Sequence, residues 1–274
     1  MKNIAFGQYY PAESVIHRMD PRAKIIMAML YIVCTFICKN VMGFLALTVV
    51  TVLIILMSRI PIKIVLASIK PLIFILFFTS LVNIFATKGE HLLTPDGWFV
   101  KVYEEGLWNA LFMMLRIVAL LVSTGVFMSF TTTPIALTDA MEQLLSPLKK
   151  IRVPVHDVAM MTTIAMRFIP TLMEETEKIM NAQKSRGADF QSGSLIQRAK
   201  ALLPIFIPLL GSAFKRADEL ANAMDCRCYH GGEGRTKRKV LPMRGSDVCG
   251  LVMVLAFGVG IFFLNRVGIG YTMS

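Results

Sequence analysis

One stretch of the sequence decides the fold: residues Val158–Arg186, which read VAMMTTIAMRFIPTLMEETEKIMNAQKSR. Apolar and small side chains recur in it in alternating steps of four and three, whereas the other face carries charged residues such as Arg167 and Glu174. This spacing predicts one long amphipathic helix with an apolar seam, and Pro170 is expected to bend it. The seam consists of Val158, Thr162, Ala165, Ile169, Leu172, Thr176, Ile179 and Gln183.

A second stripe with the same alternation follows at Phe206, Leu210, Ala213, Ala217, Leu220 and Met224. One further step of three leads from Gln183 to Arg186 and from Met224 to Arg227, so each predicted helix carries an arginine where its seam ends. Gly187 is a natural helix stop after the first arginine. Two interpretations remain open: solvated helix ends, or two guanidinium groups that dock on an acidic partner.

The composition places these helices in a membrane protein. Of the 274 residues 55% are apolar and 17% are charged, and the formal net charge is +11. A soluble domain carries roughly 45–50% apolar and about 25% charged residues. The high apolar content also excludes a disordered chain. We therefore expect an all-α membrane protein with a basic part outside the bilayer.

Five apolar runs are long enough to approach the length of a transmembrane helix. Four lie in an N-terminal region, 1–130, at about 25–38, 41–57, 71–86 and 107–130, and the fifth starts at Val248. The sequence thus predicts about five transmembrane helices in three regions: the N-terminal four, a region of long amphipathic helices at 131–247, and the last span with a short tail at 248–274.

Basic residues flank these spans on one side. Arg18, Arg22 and Lys24 precede the first span, and the run Arg235–Lys239 precedes the last, whereas the loop 87–106 is acidic. Since cytoplasmic loops are enriched in lysine and arginine, the N-terminus and the 131–247 region are predicted to be cytoplasmic, with the C-terminus outside. The basic run is a membrane anchor on this interpretation, and nucleic acid is not an expected partner.

The sequence gives little support for catalysis or for a metal site. It contains no G-x-x-x-x-G-K-[ST] phosphate loop, and its four histidines are scattered. Cys226 and Cys228 have no second ligand pair at zinc spacing. Arg116 is the charged residue well inside a span; it either pairs with a backbone carbonyl or a partner, or extends toward the membrane surface.

Several motifs resemble the transmembrane T component of energy-coupling factor (ECF) transporters, the EcfT family, which drives uptake of vitamins and micronutrients. The similar stretches include Ser14–Arg22, Ala165–Pro170 continuing into Ala182–Phe190, and Arg216–Tyr229. The stretch Gly231–Thr236 is similar to that of shared modules, which serve several substrate-binding partners. The resemblance covers most of the chain, and the two arginine motifs are its most specific part.

The resemblance implies a non-catalytic subunit of an ATP-driven importer in the cell membrane. The two amphipathic helices would be cytoplasmic coupling helices that cross in an X, and their ends would insert into two ABC-type ATPase subunits, which bind the ATP. A membrane-embedded substrate-binding S component would be the other partner, and the T component itself would need no cofactor. The docking residues would be Ser185, Arg186 and Gly187 at the first end and Cys226, Arg227 and Cys228 at the second.

The second docking motif departs from the family pattern because Cys228 stands where the small-Arg-Gly motif has glycine. Two other classes of function are weighed against the coupling subunit: a membrane-embedded enzyme, such as a lipid-modifying transferase, and a self-sufficient secondary transporter. The absence of clustered acids or histidines disfavours the enzyme. The spans hold no carboxylates and the sequence has no internal repeat, which disfavours the secondary transporter.

Overall fold

The computed structural model describes residues 9–87, 103–151, 153–188, 190, 194–231 and 243–267. All regular elements within these ranges are helical, which confirms the predicted fold class. The chain divides into two compact units. The first comprises Met1–Ala140 together with Val240–Ser274, and the second comprises Met141–Lys239.

The first unit is built from helices that run back and forth. Its elements are α1 (Val15–Arg18), α2 (Pro21–Ile37), α3 (Val41–Ser58), α4 (Ile62–Ile69), α5 (Ile73–Ala86), α6 (Glu104–Thr124) and α10 (Gly245–Val267). The last turns of α6 widen into a π-helix, Gly125–Phe130. Four helical stretches here are long and apolar enough to span a bilayer: Val41–Ser58, Ile62–Ala86, Glu104–Phe130 and Gly245–Arg266.

Helix α2 is the fifth candidate span and the shortest. It has 17 residues, which is the lower limit for a bilayer of about 30 Å. Its N-terminus follows from the sequence, because Pro21 occupies the first turn and the Asp20 side chain accepts a hydrogen bond from the Arg22 amide at 2.9 Å. The buried aromatic Tyr31 contacts α3 through a hydrogen bond with the Thr51 hydroxyl at 2.6 Å. About five transmembrane helices therefore agree with the expectation.

The turn between α2 and α3 is tight, as predicted, and is held by its side chains. Asn40 is 1% exposed, and its Nδ2 donates to the Leu264 carbonyl near the end of α10 at 3.0 Å. A Cβ at Gly43 would lie 2.6 Å from the Cys38 sulfur, so this close approach of the two helices requires glycine.

The third span begins before the predicted range 71–86. Helices α4 and α5 are joined by one tighter 3₁₀ turn, Lys70–Leu72, and form one helical stretch from Ile62 to Ala86. Pro71 thus lies inside the span instead of opening it. The missing proline N–H is accommodated where the helix tightens locally.

The second unit contains the two long helices that the apolar seams predict. The helix α7 (Pro134–Leu144) contains the boundary with the first unit and leads to a 3₁₀ turn, Ser146–Ile151. Helices α8 (Val155–Ser185) and α9 (Leu195–Asp225) follow, with 31 residues each. Both remain single helices through their internal prolines, and α9 begins with a capping box in which the Ser194 amide donates to Gln197 Oε1 at 2.9 Å.

Candidate functional site

The first candidate docking end closes α8 with two reversed backbone hydrogen bonds. Ser185 is the last helical residue. The Gly187 amide donates to the Lys184 carbonyl at 2.9 Å, and the Ala188 amide donates to the Gln183 carbonyl at 3.0 Å. Gly187 has a φ of +86°, the left-handed conformation that this Schellman closure needs.

The second candidate end closes α9 in the same way. The Cys228 amide donates to the Asp225 carbonyl at 2.9 Å, and the Tyr229 amide donates to the Met224 carbonyl at 3.1 Å. Cys228 takes the place of Gly187 and has a φ of 55°. The cysteine therefore adopts the left-handed conformation of the glycine that it replaces, and the backbone of the second end matches the first despite the departure in sequence.

Arg186 and Arg227 occupy the same position in these two closures, each directly before the residue with the left-handed conformation. Both residues are exposed, as are their neighbours Ser185, Gly187, Cys226 and Cys228. The orphan carbonyls at a helix C-terminus carry partial negative charge, so a cation at this position is electrostatically favourable. Each helix thus presents one guanidinium group to solvent at its end.

The seam residues that lead to these ends are only partly covered. Ile169, Leu172, Thr176, Ile179 and Gln183 are half-buried on α8. On α9 the final two members, Leu220 and Met224, are half-buried, whereas Phe206 and Leu210 are 59% and 45% exposed. Both helices therefore carry partly buried seam residues near their C-terminal ends. The seam of α9 also leaves exposed apolar surface that other chains or lipid can cover.

One ion pair joins the two long helices, α8 and α9. Arg216 Nη2 on α9 donates to Glu175 Oε2 on α8 at 3.1 Å. A hydrogen bond from Ser212 and the charge of Arg216 hold the pKa of the Glu175 carboxyl below its ordinary value of 4.5. The spacing of residues in the sequence does not predict this pair, because the pairing depends on how the two helices meet.

The beginning of α8 is held by a second polar contact in the same unit. Nδ1 of His156 lies 3.0 Å from Glu142 Oε1, and both side chains are mostly buried. This contact ties α8 to the end of α7.

The first unit contains a buried polar cluster that the sequence analysis did not predict. Lys24, which is 1% exposed, donates through Nζ to the Thr131 carbonyl at 2.9 Å and to Thr132 Oγ1 at 3.3 Å. Asp247, which is fully buried, accepts from the Asp20 amide at 3.0 Å. The cluster joins the start of α2, the end of α6 and the start of α10, so its role is to fix where these helix ends meet. The signal in the sequence is that Lys24 lies in the first turn of an apolar run, where a buried lysine needs polar partners. The sequence does not identify these partners, because they are more than a hundred residues away.

Arg116 takes the first of its two predicted alternatives. Its Nη2 donates to the Cys38 carbonyl at 2.8 Å, and its guanidinium carbon lies 5.4 Å from the centre of the Phe44 ring. A backbone carbonyl at a helix C-terminus and an aromatic face both stabilise a cation. Arg116 therefore has a structural role at the junction of α2, α3 and α6.

Among the residues that the structure describes, no three His, Cys, Asp or Glu side chains are grouped so as to hold a metal ion. Cys226, Cys228 and His230 are each exposed. Most of the stretch Gly231–Thr236, the basic run Arg235–Lys239 and the C-terminal tail lie outside the described residues.

Comparison with known proteins identifies relatives along nearly the whole chain. The model of the CbiQ family, described as cobalt transport protein, matches residues 12–238. A protein of Ruminiclostridium cellulolyticum is 47% identical over 268 residues, which cover 97% of either chain. A Clostridium kluyveri protein is 48% identical over 93% of this chain and 95% of its own, and a Bacillus subtilis protein is 45% identical over 97% and 99%. All three are named energy-coupling factor transporter transmembrane protein EcfT.

Proposed function

This chain belongs to the EcfT family of energy-coupling factor transporter transmembrane proteins, and from that premise we propose how its two long helices perform the coupling. As a family member it is the transmembrane energy-coupling component of such a transporter. In our proposal, α8 and α9 carry movement from two cytoplasmic ABC-type ATPase subunits to a membrane-embedded S component that binds the vitamin or other micronutrient. Arg186 and Arg227 are the contacts with the ATPases.

The observation that carries this proposal is the match between the two helix ends. The same pair of reversed hydrogen bonds closes both helices, and an arginine directly precedes the left-handed residue of each closure. A single exposed arginine at a helix end is common, because it suits the helix dipole. Two exposed arginines at the same position of two matching helix closures are what a pair of similar binding clefts would require.

The chemistry of the ends indicates the chemistry of the clefts. Guanidinium groups form paired, charge-assisted hydrogen bonds with carboxylates, and small neighbours allow such a group to enter a narrow groove. Ser185, Gly187 and Cys226 are small and exposed. We therefore assign to each ATPase an acidic groove that receives one arginine end.

The dimensions of α8 and α9 suit them to transmit movement. Each has 31 residues, which correspond to about 46 Å at 1.5 Å per residue. A helix of that length that is held at both ends moves as a stiff element. Closure of the ATPases upon binding ATP would displace the two ends, and the helices would carry this displacement to the membrane.

The exposed apolar surface of α9 supports contact with an apolar partner. Six large side chains in its first two thirds are more than half exposed: Ile196, Leu202, Leu203, Phe206, Ile207 and Phe214. Exposed apolar patches of this kind mark protein or membrane contacts. In the proposed assembly, the S component and the lipid share this surface.

ATP is assigned to the partner subunits. The sequence has no phosphate loop, so this chain supplies no Walker-type site for the nucleotide. The chain itself is proposed to act without catalysis and without a cofactor. The substrate identity then depends on the S component, whose co-purification would name it.

The test replaces both end arginines, Arg186→Glu with Arg227→Glu, in a strain whose vitamin uptake depends on this transporter. We expect the double variant to insert into the membrane, to lose ATP-dependent uptake and to lose co-purification of the ATPase subunits. The physical reason is that two carboxylates would face acidic grooves.

A matched control changes two exposed arginines elsewhere on the same helices, Arg167→Glu on α8 and Arg198→Glu on α9. The control is expected to retain the ATPases, because neither residue belongs to the C-terminal closures that carry Arg186 and Arg227. Normal uptake in the variant with changed ends, or uptake that continues without ATP, would contradict the proposal and would favour a secondary transporter.

A further inference from the structure

A basic groove and an apolar cavity adjoin each other in the first unit. The basic groove has a volume of about 570 Å³ and is lined by Arg18, Arg59 and Glu13. The apolar cavity has a volume of about 210 Å³ and is lined by side chains of α2, α3 and α10. Val15 and Met57 line both, so the two spaces lie next to each other.

The two spaces differ sharply in chemistry. Ser246 is the polar side chain among the described residues that line the apolar cavity. Its other walls include Met27, Leu53 and Phe257. The basic groove, by contrast, has two guanidinium groups and one carboxylate. Together the groove and the cavity form one site with a charged end and an apolar end.

The charged end has unmatched positive charge. Arg18 pairs with Glu13 at 3.0 Å, and both side chains are largely exposed. Within the described part of the chain, no carboxylate lies within 4.0 Å of the Arg59 guanidinium. The groove therefore has a net positive charge and suits an anion, and guanidinium groups favour phosphate.

Arg59 also occupies an unusual backbone position. It ends α3 with a φ of 54°, in the left-handed region where glycine is favoured. A glycine would end the helix without this strain. The end of α3 places a left-handed residue at this position, and in this chain that residue brings its guanidinium group to the groove.

The site lies at the level where lipid headgroups meet acyl chains. The groove is at the C-terminal end of the span α3 and beside α1, at the end of the unit that the sequence predicts to be cytoplasmic. Val15, Leu53, Met57 and Met253 around the cavity are 46–56% exposed apolar residues on membrane-spanning helices or next to them. A lipid from the surrounding leaflet can therefore reach both spaces.

We propose that this site binds one anionic glycerophospholipid, with its phosphate between Arg18 and Arg59 and one acyl chain in the apolar cavity. Charge complementarity selects the anionic headgroup, because a zwitterionic lipid brings no net charge to neutralise the groove. The cavity is too small for a partner helix, which is about 10–12 Å across with its side chains, but it suits a single unbranched hydrocarbon chain. This inference is independent of the arginine ends of α8 and α9.

The binding experiment uses the full-length chain, purified and delipidated in detergent. Equal amounts of dioleoyl phosphatidylglycerol and dioleoyl phosphatidylcholine are added, and native mass spectrometry measures the ratio of bound lipids. We expect a preference for phosphatidylglycerol of roughly fivefold, since the two arginines and Glu13 leave one net positive charge in the groove and each such charge near an anionic headgroup contributes about a factor of five. Arg18→Gln with Arg59→Gln should abolish the preference, and Arg18→Lys with Arg59→Lys should retain most of it.

A charge-matched control removes two exposed lysines at the same end of the unit, Lys63→Gln with Lys70→Gln, and should keep the preference. Circular dichroism of each variant verifies that it is folded. Equal binding of the two lipids by the unsubstituted chain, or an unchanged preference in the arginine-to-glutamine variant, would overturn the proposal.

Two further arms separate the other occupants. Millimolar inorganic phosphate at matched ionic strength should not displace the lipid, and displacement would mean that the groove binds a soluble anion. A photoreactive benzoylphenylalanine at Leu53 should give an adduct with the mass of a phospholipid in native membranes. A protein adduct there would instead identify a docking surface for a partner chain and overturn the proposal.

Discussion

At the scale of single residues, two non-glycine residues of the described part have a left-handed backbone conformation with positive φ: Arg59 and Cys228. An L-residue with a side chain is disfavoured in this region, because its Cβ approaches the following carbonyl oxygen. Both residues end a long helix. Their conformation is dictated by the helix closure, which needs a left-handed residue whatever its identity.

Cys228→Gly should therefore strengthen the end of α9. The substitution removes the steric penalty but adds the larger unfolded-state entropy of glycine, so we expect a modest net gain. Hydrogen exchange of the Tyr229 amide, which donates to the Met224 carbonyl, should slow by roughly two- to fivefold. Exchange in the peptide that contains residues 224–229 measures it.

Cys226→Gly provides the opposite control in the same turn. Cys226 has a φ of −59°, where glycine gains nothing and only loses entropy. Exchange of the Tyr229 amide should become faster in this variant. If both substitutions changed exchange in the same direction, the left-handed strain at Cys228 would not be the cause.

At the scale of elements, α8 and α9 repeat one another. They have equal length, matching seams and identical closures, and the ion pair between Glu175 and Arg216 joins them. The seam alone does not fix how the helices meet, because its apolar side chains are only partly covered. The ion pair adds one specific polar contact between the two helices and so favours one register.

Arg216→Glu should loosen the contact between the two helices, because like charges would then face each other. Spin labels at the exposed positions Asn181 and Asn222 report the distance between the helices, and we expect the variant to broaden its distribution. The charge-swapped double variant, Glu175→Arg with Arg216→Glu, should restore a narrow distribution. The same broad distribution in the swapped variant would show that the pair does not set the register.

The pH dependence of this contact follows from the Glu175 carboxyl. Its pKa is lowered in the folded protein by the Ser212 hydrogen bond and by Arg216, so the charged form is favoured there. The stabilisation is fully present above pH 4.5 and is lost as the pH falls through the lowered pKa. The distance distribution should therefore stay narrow from pH 7 to pH 5 and broaden only in stronger acid.

At the scale of the whole molecule, long-range contacts set the order of helix ends in the first unit. One end gathers Lys24, Thr131 and Asp247, and the other gathers Asn40 with Leu264 and Asn265. This arrangement agrees with spans that alternate in direction. The basic flanks predict that the first of these ends is cytoplasmic.

Labelling with a membrane-impermeant maleimide tests that orientation. Lys39→Cys places a thiol at an exposed position at the predicted outer end, and Cys226 and Cys228 are exposed thiols on the predicted cytoplasmic side. The vesicles come from cells that lack the ATPase subunits, so that the two helix ends are uncovered. Right-side-out vesicles should label the introduced cysteine, whereas inside-out vesicles should label Cys226 and Cys228. The unsubstituted chain gives the background, and labelling of both sets from one side would refute the predicted topology.

Much of the fold and of the candidate site could be predicted from the sequence. The steps of four and three predicted α8 and α9, and the lengths of the apolar runs predicted about five spans. The start of the third span was missed, because Pro71 looked like a first helical residue and lies instead in a tightened turn. The partner of Glu175 and the buried cluster around Lys24 were also missed, since periodicity carries no information about distant partners.

Local sequence by itself determined which segments are helices, which of their faces are apolar and where the two arginines fall, because helix periodicity and capping act over only a few residues. Tertiary structure alone decided which polar groups meet. The Lys24 ammonium group donates to the Thr131 carbonyl, and the Asp20 amide donates to the Asp247 carboxylate. The partners of each bond are more than a hundred residues apart in the chain. A buried charge must be satisfied wherever packing brings a partner, and no local pattern names that partner in advance.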